Sequence, residues 1–207
     1  MLAVVAIDDT FVVVDKPSGL LSVPGRGPEK QDCVSARVQR EFPDALIVHR
    51  LDMETSGLMV FARGLAAQRA LSRSFEQRQV DKRYEAVADG LLLHDEGQLE
   101  WPLIADWPNR PRQKVDMAWG KPSVTRYRVL GRDEVAATTR VELTPITGRS
   151  HQLRVHLATL GHAILGDSLY ASARAANASR LHLHATHLSF PHPNSAVDCT
   201  YQSVAPF

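Results

Sequence analysis

The 207-residue chain has few cysteines, almost no net charge and no long apolar run. Its two cysteines, Cys33 and Cys199, lie far apart and neither belongs to a CxxC pair. That removes zinc knuckles, zinc ribbons and dithiol redox motifs. Reduced thiols in a cytoplasmic protein are the expectation. No segment approaches the ~18 consecutive apolar residues of a membrane span. The N-terminal stretch MLAVVAIDDTFVVVDKP has two adjacent aspartates and no basic lead, unlike a secretory signal. The formal net charge is +1, so the overall basicity of many nucleic-acid binders is missing. Any phosphate-binding surface has to be local. Internal repeats and low-complexity linkers are also lacking.

What is present fits one folded unit. Apolar residues make up 44% and charged residues 23%, enough for a core at this length. A single domain over residues 1–207 is expected. The pattern predicts strands over Val12 to Asp15, Ala45 to Leu51, Gly57 to Ala62 and Tyr84 to Ala88, then Thr125 to Val129, Thr139 to Leu143 and Leu181 to Phe190. Helices are predicted from a cap at Asp32 to about Phe42, over Leu65 to Gln79, and from Arg149 to Leu160 before Gly161. Pro102 to Pro122 holds four prolines and reads as a long loop or hairpin. The alanine-rich stretch Ser172 to Ser179 reads as a surface insertion. Strands and helices mix without regular βαβ alternation. The expected class is therefore α+β, with a mixed, mostly antiparallel sheet and flanking helices and loops.

Local charge is uneven. Arg63, Arg69, Arg73, Arg78, Lys82 and Arg83 cluster, with Glu76 and Asp81 between them. Arg110, Arg112 and Lys114 form a second basic patch. Either patch is a solvated surface or a contact for phosphate. Of the histidines, His182, His184 and His187 sit close in the chain, with Leu181, Leu183 and Ala185 expected on the opposite strand face. They have no neighbouring acid or thiol ligand, and His151 and His156 are five apart. No metal site is expected from either set.

Asp52 stands between two apolar strand segments, followed by Thr55 and Ser56, which can donate to a carboxylate, and by Gly57, which allows a sharp turn. Alone, an aspartate here is better read as a turn residue hydrogen-bonding its own backbone. Its surroundings change that. HRLDMETSGLMVFAR resembles the signature HRLDxxTSGLLLxAK of the RluA family of pseudouridine synthases. DKPSGLLSVPG resembles the family's opening KPxGL segment, and QVDKRYEA its tyrosine motif. GRSHQLRVHLATLGHAILGDSLY and LHLHATHLSFPHP resemble its two later motifs. The five appear in family order from near residue 11 to residue 193.

The resemblance implies a cofactor-independent RNA pseudouridine synthase on the pseudouridine synthase catalytic fold. That chemistry breaks the bond from ribose C1′ to uracil N1, turns the base, and rejoins it through C5. It needs no redox change, so no cofactor. Asp52 matches the catalytic aspartate, acting either as nucleophile at C1′ or as base at C2′. Arg154 matches the arginine that pairs with that aspartate, and arginine suits a buried pair because it is always charged and bidentate. Tyr84 matches the active-site tyrosine, able to stack on uracil and to handle a proton. The target base must leave its stack, and His49 and Arg50 are placed to fill the space or hold the backbone. Arg63 and Arg69 follow on a helix and can track RNA. Arg110, Arg112 and Lys114, with Trp107, are candidates for contacts to an RNA loop.

The motifs begin within about fifteen residues of Met1, so the small N-terminal S4 domain of many relatives is not expected. LLSVPGR and PLIADWPNRPRQKV resemble the short family members that modify a uridine in 23S rRNA and another in the anticodon loop of several tRNAs. The expected partners are therefore rRNA and tRNA stem-loops, with no membrane, no obligate protein partner and a monomeric chain. Ser150, Leu153 and Ala163 depart mildly from the family pattern. Three alternatives stand beside this reading. One is a synthase with a single rRNA target. Another is a catalytically silent RNA-binding protein on the same fold. The third is a glycoside hydrolase, which would need a second carboxylate, and only Glu54 is near.

Overall fold

A computed structural model describes residues 2–195 and 197–207. The chain begins with a hairpin of β1 (Ala3–Ile7) and β2 (Phe11–Lys16). Asp8 makes its turn by accepting the Thr10 N–H at 2.8 Å. Next come α1 (Val34–Glu41), β3 (Ala45–Ile47), β4 (Ser56–Arg63) and α2 (Gly64–Glu76). The cap of α1 is Cys33, whose Sγ accepts the Ala36 N–H at 3.4 Å. Asp32, the expected cap, instead pairs with Arg37 at 2.6 Å. β5 (Asp81–Asp89), β6 (Glu96–Leu99), β7 (Leu103–Ala105), β8 (Gln113–Val115), β9 (Thr125–Asp133) and β10 (Thr138–Pro145) follow. The chain closes with α3 (Gln152–Thr159), α4 (Ala173–Ala176), β11 (Leu183–Pro191) and β12 (Asp198–Gln202). The class is α+β with a mixed sheet, as the sequence pattern implies.

The chain divides into two compact units, residues 1–82 with 184–206, and residues 83–183 with 207. In the first, strands run in the order β1-β2-β4-β11, with β3 also on β4 and β12 on β11. All pairs there are antiparallel except β4 with β11, which is parallel. The near-continuous apolar run of β4 is explained by burial on both faces. Leu58, Val60 and Ala62 join Phe11, Val13, Leu71, Leu188 and Phe190 in one core. Met59 and Phe61 are buried as well. Each such side chain contributes roughly 1.5–3 kcal/mol, so β4 is the spine of this unit.

Gly57 does more than turn the chain. It sits at φ +111°, and a Cβ there would lie 2.4 Å from the Ala185 carbonyl oxygen. Only glycine lets β4 meet β11 at the parallel pairs Ser56–His184 and Ala185–Gly57. Farther along β4, β3 covers Phe61 to Arg63. Between these two partners the Val60 N–H is accepted by His49 Nε2 at 3.0 Å. A side chain thus completes the ladder where no strand does, and the strand expected to reach Leu51 stops at Ile47.

In the second unit the order is β5-β10-β9-β6, all antiparallel, with β7–β8 as a separate hairpin. Its core joins Ala86, Ala88, Val141 and Leu143 to Leu153 and Leu157 of α3, with Ile164, Leu181 and Leu183. Leu153 and Leu157, with Leu160 packed against them, therefore mark the core face of α3. The alanine-rich segment is tied down and is not a free insertion. Ala175 is buried, and its carbonyl accepts the Gly166 N–H at 2.7 Å.

Candidate active site

The aspartate loop belongs to the first unit. Asp52 is half-buried in an irregular turn between β3 and β4, and its carbonyl accepts the Thr55 N–H at 3.2 Å. The opening motif holds this turn from behind. Lys16 is fully buried and donates to the carbonyls of Met53 at 2.8 Å, Thr55 at 2.6 Å and Pro17 at 2.9 Å. Ser18 Oγ donates to the Glu54 carbonyl at 2.7 Å, and the Gly19 N–H donates to the Met53 carbonyl at 2.9 Å. Ser22 Oγ donates to the Leu51 carbonyl at 2.6 Å and accepts the Leu51 N–H at 3.1 Å. The backbone on both sides of Asp52 is thus pinned at Leu51, Met53, Glu54 and Thr55. Buried carbonyls need such partners, and the motif DKPSGLLS supplies them. The sequence shows Lys16 to Gly19 as part of the family's opening segment without giving the lysine a task. The buried lysine is legible in hindsight from its place between an apolar strand and Pro17.

Beneath the loop, Ser56 Oγ lies 2.7 Å from His184 Nδ1, and Ser203 Oγ lies 2.9 Å from His184 Nε2. Ser203 in turn donates to the Asp15 carboxylate. His184 is buried, so it does not share an exposed face with His182 and His187. His187 lies 3.2 Å from Asp81. Among the described residues no group of three acid, thiol or imidazole side chains is arranged to hold a metal.

The two residues before Asp52 point to different roles. Arg50 is exposed. The His49 ring stacks on Phe75 at 4.7 Å while accepting from Val60. Burial, aided by the Lys82 ammonium, lowers its pKa from 6.5 to about 3. A neutral imidazole committed to the sheet brings no charge to a phosphate. Lys82 lies over the other neighbour of that stack, 5.7 Å from the Phe75 ring centre, and its own pKa is lowered by burial. Arg63 is likewise committed. It pairs with Asp44 at 3.2 Å, donates to the Asp8 carbonyl and lies over Phe42. Arg69 stands exposed on α2.

Tyr84 and Arg154 belong to the second unit. Tyr84, on β5 opposite Leu143, packs against the same core as Leu153. Arg154 is 2% exposed, and Asp167 is 0% exposed. The Arg154 Nε donates to Asp167 Oδ2 and its Nη2 to Oδ1, both at 2.8 Å. This fork-to-fork pair fixes the guanidinium plane. Asp167 Oδ1 also accepts the N–H groups of Leu169 at 2.9 Å and Tyr170 at 3.1 Å. Sequence reasoning named Arg154 and missed Asp167, although it lies within GDSLY.

The turn before α3 is built by Gln152. Its Oε1 accepts from the Arg149 N–H and the Thr147 hydroxyl, and its Nε2 donates to the Val124 carbonyl and Thr125 Oγ1. His151 caps the helix in the left-handed region, at φ 55° and ψ 17°. Arg110, Arg112 and Lys114 are exposed on or beside the β7–β8 hairpin, and Arg110 lies 4.3 Å from the Trp107 ring centre.

The chain belongs to the RNA pseudouridylate synthase family, whose profile matches residues 10–159. It is an RNA pseudouridine synthase by family, and its substrate is RNA. It is 53% identical over 201 residues to the dual-specificity RNA pseudouridine synthase RluA of Yersinia pestis, covering 97% of each chain. It is 52% identical over 209 residues to the protein of that name from Escherichia coli (strain K12), covering 100% of this chain and 94% of the relative. Among solved structures it resembles Human RNA Pseudouridylate Synthase Domain Containing 1, with a TM-score of 0.81 and 28% identity over 98% of this chain and 84% of that one. Human RNA Pseudouridylate Synthase Domain Containing 4 gives 0.77 and 26% over 99% and 88%.

Proposed function

We propose that this protein isomerises uridines to pseudouridine in two structured RNAs, a 23S rRNA hairpin loop and a tRNA anticodon loop, and that Asp52 acts at the ribose. The observation that carries the reading is the pinned turn around Asp52, formed by two of the family's motifs together. A carboxylate must be placed to within fractions of an ångström to act on a sugar, and a backbone held at four positions on both sides of it supports that. The C1′–N1 bond breaks, the uracil rotates, and C1′ joins C5. The proton on C5 is lost and N1 ends protonated, so atoms and charge balance without a cofactor.

Arg154 and Tyr84 serve the same uridine in this reading, Arg154 by holding negative charge and Tyr84 by stacking on the base and handling the C5 proton. Arg50, next to Asp52 and exposed, is the candidate to enter the space left by the flipped base. Arg69, Arg110, Arg112 and Lys114 contact the RNA backbone. The similar proteins of Y. pestis and E. coli are called dual-specificity RNA pseudouridine synthases, which supports a reading with two RNA targets. The protein works as a monomer in the cytoplasm.

Tritium release from RNA labelled at uridine C5 tests the reaction. Release from both an anticodon stem-loop and a 23S hairpin is expected, and from neither if the protein only binds RNA. Free uracil among the products would mark a hydrolase instead.

A further inference from the structure

Tyr170 closes the GDSLY segment, and neither the motif comparison nor the proposed chemistry gives it a task. Its surroundings do. The hydroxyl accepts the backbone N–H of Gln113 on β8 at 2.7 Å. It also lies 2.7 Å from His151 Nδ1, with the two rings edge to face at 5.7 Å. The Arg112 guanidinium lies 5.4 Å from the Tyr170 ring centre and that of Arg154 lies 5.3 Å away. Its own backbone N–H is held by Asp167 Oδ1, the oxygen that also accepts from Arg154 Nη2. One side chain therefore touches the basic hairpin, the strained cap of α3 and the Arg154–Asp167 pair.

Strain at that cap supports a built device. A non-glycine residue at positive φ persists only where neighbours hold it. His151 stands three residues before Arg154, with its ring on Tyr170. The hairpin needs outside support as well. β7 and β8 pair over only three residues each and belong to no larger sheet, and a short two-stranded ribbon is marginal alone.

We propose that Tyr170 is a positioning residue that fixes the basic hairpin carrying Arg112 and Lys114 to the Arg154–Asp167 pair, so that RNA held on the hairpin is in register with Arg154. This rests on the reading of Arg154 and of the hairpin given under the proposed function. The hydroxyl is the coupling atom, because it accepts from the β8 backbone. The aromatic ring keeps its contacts with Arg112 and Arg154 when that oxygen is removed.

Tyr170→Phe tests it. Amide exchange at Gln113 is expected to quicken at least about tenfold, and KM for a stem-loop RNA to rise about tenfold, the scale of one lost hydrogen bond. The turnover number should stay within about threefold, because the Asp167 grip on Arg154 is untouched. Unchanged exchange at Gln113, or faster exchange with unchanged KM, overturns the proposal. So does a fall in turnover with KM unmoved. If the wild-type protein itself releases no tritium, the proposed reaction fails. Gln113 exchange and the Kd for the same stem-loop then decide the role of Tyr170 alone, with a rise in both supporting it and no rise in either ending it.

Discussion

The aspartate turn and the arginine pair are held in opposite ways. Around Asp52, hydrogen bonds from Lys16, Ser18, Gly19 and Ser22 fall on the backbone at Leu51, Met53, Glu54 and Thr55. No one of them carries the turn. Arg154 is gripped through its own head group by the Asp167 carboxylate, deep in the second unit. The first arrangement spreads the task over many neutral bonds and one ammonium. The second works through charged side-chain heads, where loss of a partner weakens the hold on a buried charge. Redundant support should yield gradually under mutation, and support through a buried charge should fail at once.

The largest effect is expected where chemistry and placement meet. Asp52→Asn should lower tritium release at least about 10³-fold, the upper range for a group acting directly at the reacting atoms, with RNA affinity within about threefold. Residual turnover above a few per cent would take Asp52 out of the reaction. Asp167→Asn comes next. It breaks the fork-to-fork pair with Arg154 and should cost about 3–5 kcal/mol of stability, read as a drop in the urea midpoint. The double variant Arg154→Met with Asp167→Leu should recover most of that stability and stay inactive. If Asp167→Asn proves as mild as a surface change, the contrast drawn here collapses.

Lys16→Met probes the redundant side. Three carbonyls lose a donor, so a loss of about 2–3 kcal/mol is expected. Turnover should fall less than about tenfold, because Ser18, Gly19 and Ser22 still hold the turn. A loss of activity as deep as that of Asp52→Asn would show that the lysine, and not the set, places the carboxylate. The smallest effect concerns pH. His49 has a folded pKa of about 3 against an ordinary 6.5. The unfolded chain therefore takes up a proton first as pH falls. Stability from this group is whole above pH 6.5 and is lost progressively toward pH 3. The urea midpoint of wild type should fall between pH 7.5 and pH 5, and His49→Asn should flatten that slope. Equal slopes would mean that the ring does not stay neutral.

Much of this was readable before any coordinates. The runs FVVV and GLMVFA announce β2 and β4 because both are buried on each face. β1 escaped because it lies at an edge with mostly exposed residues, and β6 because EGQL has no apolar pattern. In both cases pairing with a neighbour, not local preference, makes the strand. Asp52, Tyr84 and Arg154 were visible only as members of ordered motifs. None has a local signal that separates it from a turn acid, a core aromatic or a helix cation. Asp167 was missed because its partner lies thirteen residues away, and one acid in GDSLY does not declare which base it serves. Cys33, not Asp32, stands at the cap position of the helix, and Asp32 is engaged by Arg37. His49 looked like an RNA contact from its place beside Arg50. What no pattern could show is that the Val60 N–H lacked a strand and needed an acceptor.

The glycine at position 57 has a practical consequence for anyone redesigning this enzyme. Its missing methyl group is the gap through which the late strand β11 approaches the early strand β4. A chain cut and rejoined elsewhere, or assembled from separately made fragments, would still have to close that gap. Even alanine there would wedge the two segments apart. Recombining the N-terminal part of one such enzyme with the C-terminal part of another should therefore succeed or fail on whether a bare backbone is kept at this one crossing.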